Sequence, residues 1–144
     1  KYHGKGTYLY ANGNVYIGEF RNGIQNGKGK FSFSNGDEYE GTFKNGLFDG
    51  EGQANFSNGE KYIGQYKNDL PHGKGTQIFS NGDKFTGKFS YGVKEGFGVL
   101  VYQNGDKYEG EFKNNMFNGN GEMTRKNGKI EKGLFKNHVF VGGD

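Results

Sequence analysis

The chain of 144 residues has no cysteine, no tryptophan and a single proline. Without cysteine there is neither a disulfide scaffold nor a thiolate zinc site. No run approaches the roughly 18 apolar residues that a membrane-spanning helix needs, and no signal peptide opens the chain. Leu, Ile and Val are too few for a conventional aliphatic core. Neither sign of charge dominates: 19 basic and 16 acidic side chains leave +3, too mild a balance to indicate a nucleic-acid partner. These absences fit a soluble, cytoplasmic protein. What the chain has instead is 29 glycines and 17% aromatic residues. Disordered chains share the low hydrophobicity but not the rings.

The glycines are ordered by a repeat. The pattern Tyr/Phe-x-Gly-x-Phe/Tyr starts at Tyr16, Tyr39, Tyr62, Phe85 and Tyr108 and, in altered form, at Glu131, each 23 residues after the last. Counted from these starts, 28 of the 29 glycines fall in slots 3, 8, 12, 14 and 21, and 16 of the 24 aromatics in slots 1, 5 and 18. Slots 20 and 21 are Asn-Gly in every unit, from Asn12-Gly13 to Asn127-Gly128, the strongest short-range hairpin signal. A three-residue loop, Ser34-Asn35-Gly36, puts Phe31, Phe33, Tyr39 and Phe43 on one face; a two-residue loop would scatter them. The expected turn is therefore type I closed by an αL glycine.

Six hairpins follow, about 4–20, 27–43, 50–66, 73–89, 96–112 and 119–135, in one domain over 1–144. Strand glycine costs about 0.5–1 kcal/mol relative to alanine, so glycine in slots 3, 12 and 14 implies that something needs the space. The rings one strand over are the candidates, with glycines as their sockets. Slots 6–11, such as Lys44–Asp49, read as a short loop. Slot 8 holds residues that tolerate positive φ (Gly23, Gly46, Asp69, Gly92, Asn115), and His138 breaks that pattern. The apolar slot 9 (Ile24, Leu47, Leu70, Val93, Met116, Val139) is expected to fold back over the sheet. The last unit is degenerate: Arg125 and Glu131 take aromatic slots and Asp144 stands where glycine is due. Lys1 opens in mid-phrase, as expected of a segment of a longer protein.

The stretches YIGEFRNGIQNGKGKF (Tyr16–Phe31) and YEGEFKNNMFNGNGEM (Tyr108–Met123) resemble the MORN repeat (membrane occupation and recognition nexus), whose length is also 23 residues. The resemblance covers essentially the whole chain. It implies an all-β fold, an elongated single-layer antiparallel sheet of about six stacked hairpins with a groove along it. It also implies a function class shared by cytoskeletal and ciliary scaffolds, junctional membrane proteins and lipid kinases: protein interaction, self-association or phospholipid binding.

No chemistry competes with that reading. His3 and His72 share a slot three repeats apart, on the order of 28 Å at two strands per repeat, and His138 lies in another slot. They cannot form a joint catalytic or metal site, and no cofactor site is expected. The GKG phrases (Gly4–Gly6, Gly27–Gly29, Gly73–Gly75) lack the helix N-terminus that phosphate loops require. SNGDEYE lacks the terminal acidic ligand of a calcium loop. Asn55-Phe56-Ser57 is a glycosylation sequon in letters only.

Two features remain. Tyr16, Tyr39, Tyr62, Phe85 and Tyr108 are candidates to line an aromatic groove for a peptide or an amphipathic helix of a protein partner. Arg21, Lys44, Lys67, Lys113 and Lys136 in slot 6, with Ser90 the exception, form a candidate row for anionic phospholipid heads, although Glu19, Glu38, Glu40 and Glu111 dilute it. Open edge strands would also allow a homodimer. The leading expectation is a non-catalytic scaffold. A peripheral membrane module is the alternative, and a regulatory segment of a larger enzyme a third.

Overall fold

A computed structural model describes residues 3–143; Lys1 and Asp144 lie outside the described residues. The fold is all-β: an open antiparallel sheet whose strands follow chain order, without a helix among the described residues. The chain divides into two compact units, Lys1–Leu70 and Pro71–Asp144.

The first unit contains β1 (Gly4–Leu9), β2 (Val15–Arg21), β3 (Ile24–Ser32), β4 (Glu38–Lys44), β5 (Leu47–Asn55) and β6 (Lys61–Lys67). Consecutive strands pair, with Gly4 opposite Phe20, Gly27 opposite Phe43 and Gly50 opposite Tyr66. The Asn-Gly loops have the expected three residues. The Phe33 amide donates to the Asp37 carbonyl at 2.8 Å, and the Gly36 amide to the Phe33 carbonyl at 3.0 Å, with Gly36 at φ +99°.

Slots 6–11 differ from the expected loop. Only slots 7 and 8 turn: Asn22-Gly23 and Asn45-Gly46 have positive φ at both residues, as a two-residue type I′ hairpin requires. Slots 9–11 belong to the next strand. Ile24 therefore pairs with Arg21 and Leu47 with Lys44. Strand alternation turns these slot-9 side chains to the face away from the rings, where Ile24, Leu47, Leu70 and Val139 are 37–60% exposed instead of folding back.

Opposite Glu19 the ladder shifts register, from Gly18 paired with Gly29 to Phe20 paired with Gln25. Gly27, at φ +98°, sits inside this bulge. The slot-12 glycines are thus needed for backbone conformation rather than as ring sockets. Slots 3 and 14 hold the sockets. A Cβ on Gly29 would lie 2.5 Å from Tyr16 Oη and 2.7 Å from its Cζ, and one on Gly18 2.6 Å from the Lys28 carbonyl and 2.7 Å from Tyr16 Oη.

The second unit contains most of β7 (Leu70–Ile78), then β8 (Lys84–Ser90), β9 (Val93–Val101), β10 (Lys107–Lys113), β11 (Met116–Thr124), β12 (Ile130–Lys136) and β13 (Val139–Gly142). Gly73 pairs with Phe89, Gly96 with Phe112 and Gly119 with Phe135. The altered last repeat still ends in a tight turn, because His138 adopts φ +73°. That turn returns the chain as β13, one strand beyond the six expected hairpins.

Candidate functional site

The rings form two layers on one face of each unit. Slots 1 and 5 make the lower layer. Tyr16, Tyr39, Tyr62, Phe85 and Tyr108 are only 0–4% exposed, so the residues expected to line an open groove lie beneath its surface. Glycine backbone closes them from below and edge-on rings pack beside them, such as Tyr16 against Phe43 at 4.9 Å and Phe85 against Phe112 at 4.9 Å. Such pairs contribute roughly 0.5–1.5 kcal/mol each beyond burial.

The slot-1 tyrosines carry a second duty. Tyr16, Tyr39, Tyr62 and Tyr108 donate their hydroxyls to the carbonyls three residues on, Glu19, Thr42, Gln65 and Glu111, at 2.7–2.8 Å. Glu19, Thr42 and Glu111 are the residues that the register shift leaves without a partner on the following strand, so the hydroxyl replaces a missing ladder bond. Burial is the main reason these phenols hold their protons: Tyr16, Tyr62 and Tyr108 are pushed up to about 12. Tyr39 and Tyr66 are raised by the same cause.

Slots 10, 16 and 18 supply an upper layer above these rings. In the first unit Phe48 stacks on Tyr39 at 3.8 Å and 11°. Phe31 and Phe33 pack on one another at 4.7 Å and lean on Phe48, while Phe56 is 40% exposed. Tyr10 meets Phe31 and bonds Gln25. In the second unit Phe117 repeats the stack on Tyr108 at 3.9 Å, but slot 10 of the preceding repeat is Lys94. Its ammonium stands 5.3 Å over both Phe79 and Phe85 and 5.8 Å over Phe89. The irregular slot 10 gave the sequence reading no signal.

Hydrogen bonds stitch the loop ends of neighbouring repeats. At the three-residue loops, the Asn14 side chain accepts from the Ser34 amide, and the carboxylates of Asp37, Asp83 and Asp106 accept from the amides of Ser57, Gln103 and Lys126, all at 2.8 Å. The backbone bond from Ser57 holds the Asp37 carboxyl below the usual range, and that from Lys126 does the same for Asp106. At the tight turns, side chains of Asp69, Asn115 and His138 accept from the amides of Phe48, Lys94 and Phe117. Asp37, the first acid of the SNGDEYE phrase, thus serves the loop itself. His3 and His72 likewise accept turn amides, from Asn22 and Tyr91. Among the described residues no cluster of His, Asp or Glu could hold a metal.

The slot-6 bases lie on the opposite face. Arg21, Lys44 and Lys67 in the first unit, and Lys113 and Lys136 in the second, are exposed and alternate with rings that are buried or, at Phe20, half-buried. In the first unit that face also carries an open trough of about 570 Å³, bordered by Lys5, Lys28 and Lys30 but equally by Glu19, Glu40 and Glu51.

The model of the MORN repeat matches residues 1–15, 16–38, 39–61, 62–84, 85–107 and 108–130, six consecutive segments. The chain belongs to the MORN-repeat family. Its hairpin unit, with the rings of slots 1 and 5 seated on a glycine row, is this MORN array's structural module. No curated protein matches the chain. Among solved structures, the TCP domain of SAS-4 (dCPAP) from Drosophila melanogaster, in complex with a proline-rich motif of Ana2 (dSTIL), has 16% identity and a TM-score of 0.56 over 88% of this chain and 69% of that one. That likeness concerns the fold alone. Two structures of virginiamycin B lyase from Staphylococcus aureus, with 15% and 18% identity, cover 95% and 96% of this chain and 43% of theirs. Their TM-scores of 0.22 and 0.20 carry no argument.

Proposed function

We propose that this MORN array is a non-catalytic interaction module that holds a peptide segment of a protein partner on its ring face. The observation that supports it most is the upper ring layer: Phe31, Phe33, Phe48 and Phe56 remain half-buried or exposed above a lower layer that is already closed. Rings in that state offer large, rigid area at little cost in side-chain entropy. The fold shared with a domain that carries a proline-rich motif adds support, since polyproline segments dock on aromatic-lined grooves. The test is binding of a synthetic proline-rich peptide library, scored on the native chain and on F33S/F56S, whose side chains can change without opening the lower layer. Peptides held by the native chain and lost by the variant are expected. Binding that ignores the variant would move the site elsewhere.

The exposed bases Arg21, Lys44, Lys67, Lys113 and Lys136 favour a second reading, attachment to anionic phospholipid. Each cation near a charged surface contributes about 1 kcal/mol, screened within a Debye length. Binding to phosphatidylserine vesicles that vanishes with added salt would support it. Vesicle binding that survives both salt and reversal of the slot-6 bases to Glu would remove it.

A further inference from the structure

The two units of this chain treat the same ring-and-acid pair differently. Across each three-residue loop the slot-18 ring stands opposite the slot-22 acid: Phe33 opposite Asp37, Phe56 opposite Glu60, Phe79 opposite Asp83 and Tyr102 opposite Asp106. In the second unit the chain supplies each such pair with a cation of its own. Lys94 lies over the Phe79 ring, and Arg125 reaches Asp106 at 3.4 Å and Glu131 at 3.0 Å. In the first unit the slot of Lys94 holds Gln25 and Phe48, and the slot of Arg125 holds Tyr10, Phe33 and Phe56, with no cation among them. The carboxylate of Asp69 also lies at this face, taking the amide of Phe48.

No described base of the first unit makes up the difference. In β6 the exposed Lys61 and Lys67 alternate with the buried Tyr62 and Tyr66, and in β3 Lys28 and Lys30 alternate with Phe31. Arg21 and Lys44 alternate with Phe20 and Phe43 in the same way. Lys5 borders the far-side trough together with Lys28 and Lys30. Strand alternation thus sends every described lysine and arginine of this unit to one side, where Glu19, Glu40 and Glu51 accompany them, and leaves the rings with Asp37, Glu60 and Asp69 on the other.

We infer that the ring face of the first unit binds a cationic segment of a protein partner, whose arginine or lysine side chains take the place that Lys94 and Arg125 fill in the second unit. The inference rests on the interaction-module reading and names the chemistry of the partner. A cation over a ring with a carboxylate beside it gains from both, and arginine, being planar and weakly hydrated, suits the stack better than lysine.

The test uses the full chain and three synthetic peptides of the form Ac-Pro-Pro-X-Pro-Pro-X-Pro-Pro-NH2, with X arginine, citrulline or glutamate, followed by amide NMR shifts. The arginine peptide should shift amides around Phe33, Phe48 and Phe56 and bind about tenfold tighter than its neutral citrulline isostere. D37N/E60Q should lose most of that preference. The carboxamide that D37N introduces keeps an oxygen for the Ser57 amide, so the fold is retained. Equal affinity for arginine and citrulline peptides overturns the cation assignment and leaves the interaction module standing. Arginine-dependent shifts confined to Lys28 and Lys30, or no ring-face shift with any of the three peptides, overturns it as well. In the last case the peptide library with F33S/F56S judges the wider reading separately. Phosphatidylserine vesicles serve as the control surface: shifts at Phe33 and Phe56 with vesicles but not with the arginine peptide would also overturn the inference.

Discussion

The first and second units carry the same repeat on the same glycine row, yet their ring faces are finished with different chemistry. In the first, Phe48 and Phe56 belong to a largely aromatic, cation-free upper layer beside Asp37, Glu60 and Asp69. In the second, Lys94 and Arg125 occupy the equivalent slots and neutralise the face from within. The lower layers differ too. Tyr16, Tyr39, Tyr62 and Tyr66 share the first with Phe20 and Phe43, whereas Phe85, Phe89, Phe112 and Phe135 leave the second only Tyr108 as a tyrosine. Slots under steric command are kept alike, while slots that only decorate the surface diverge. A repeat fold can therefore hold one scaffold and still offer different surfaces along its length.

The socket is where the units should agree, and breaking it should give the largest effect. A Cβ on Gly52 would lie 2.5 Å from Tyr39 Oη, and one on Gly98 2.5 Å from Phe85 Cε1. Neither ring can retreat, because glycine backbone and neighbouring rings enclose it. Gly52→Ala and Gly98→Ala are each expected to cost roughly 1–3 kcal/mol, read as a shift in the urea unfolding midpoint. A loss under about 0.5 kcal/mol in either would break the equivalence of the two sockets.

Alkali should separate the units. An exposed phenol loses its proton near pH 10, whereas Tyr16 and Tyr62 keep theirs to about 12 and Tyr39 and Tyr66 are raised by the same burial. Between these values the unfolded chain has released protons that the folded chain still holds, so stability falls as pH rises. In the second unit the raised phenols among the described residues are Tyr102 and Tyr108. Amide signals of the first unit are therefore expected to disappear first in an NMR titration from pH 9 to 12. Earlier loss in the second unit would contradict the burial difference.

Much of this scaffold was legible in the sequence because the constraint is steric and periodic. The parity of Phe31, Phe33 and Tyr39 selects a three-residue loop, and the strict spacing of Gly18 and Gly29 marks a ring socket. Other parts resisted for identifiable reasons. Asn-Gly serves two turn types in this chain, so reading Asn35-Gly36 as the hairpin hid the tighter turn at Asn45-Gly46. His138 looked like a broken turn because its ability to take positive φ depends on a neighbour: its ring packs on Phe117 at 4.6 Å while its Nδ1 accepts that residue's amide. Tyr39 and Tyr62 looked like a groove lining because period-two patterning shows a face but not depth; Phe48 closing over Tyr39 is a matter of packing. Lys94 and Arg125 were invisible as a pair, being exceptions in slots otherwise read for their aromatics.

Removing the built-in cation should bring the second unit closer to the first. Lys94→Met keeps an unbranched apolar side chain over Phe79, Phe85 and Phe89 but takes away the charge. The expected loss is about 1 kcal/mol by urea unfolding. The variant should also acquire affinity for the arginine peptide near Phe79 and Asp83. Unchanged stability together with unchanged peptide binding would mean that Lys94 merely rests on the rings.

The smallest expected effect is also the most local. In four repeats a tyrosine hydroxyl closes the carbonyl three residues on, but Phe85 has none to offer the carbonyl of Lys88, the residue skipped between β8 and β9. Phe85→Tyr should supply the missing bond and stabilise the second unit by about 0.5–1 kcal/mol. Tyr108→Phe should remove the bond to Glu111 and cost a similar amount. The pair controls for ring size, since both exchanges differ by the same oxygen with opposite sign. If Phe85→Tyr destabilises while Tyr108→Phe also destabilises, the socket around Phe85 has closed up too far to admit a hydroxyl. The two lower layers would then differ in depth as well as in chemistry.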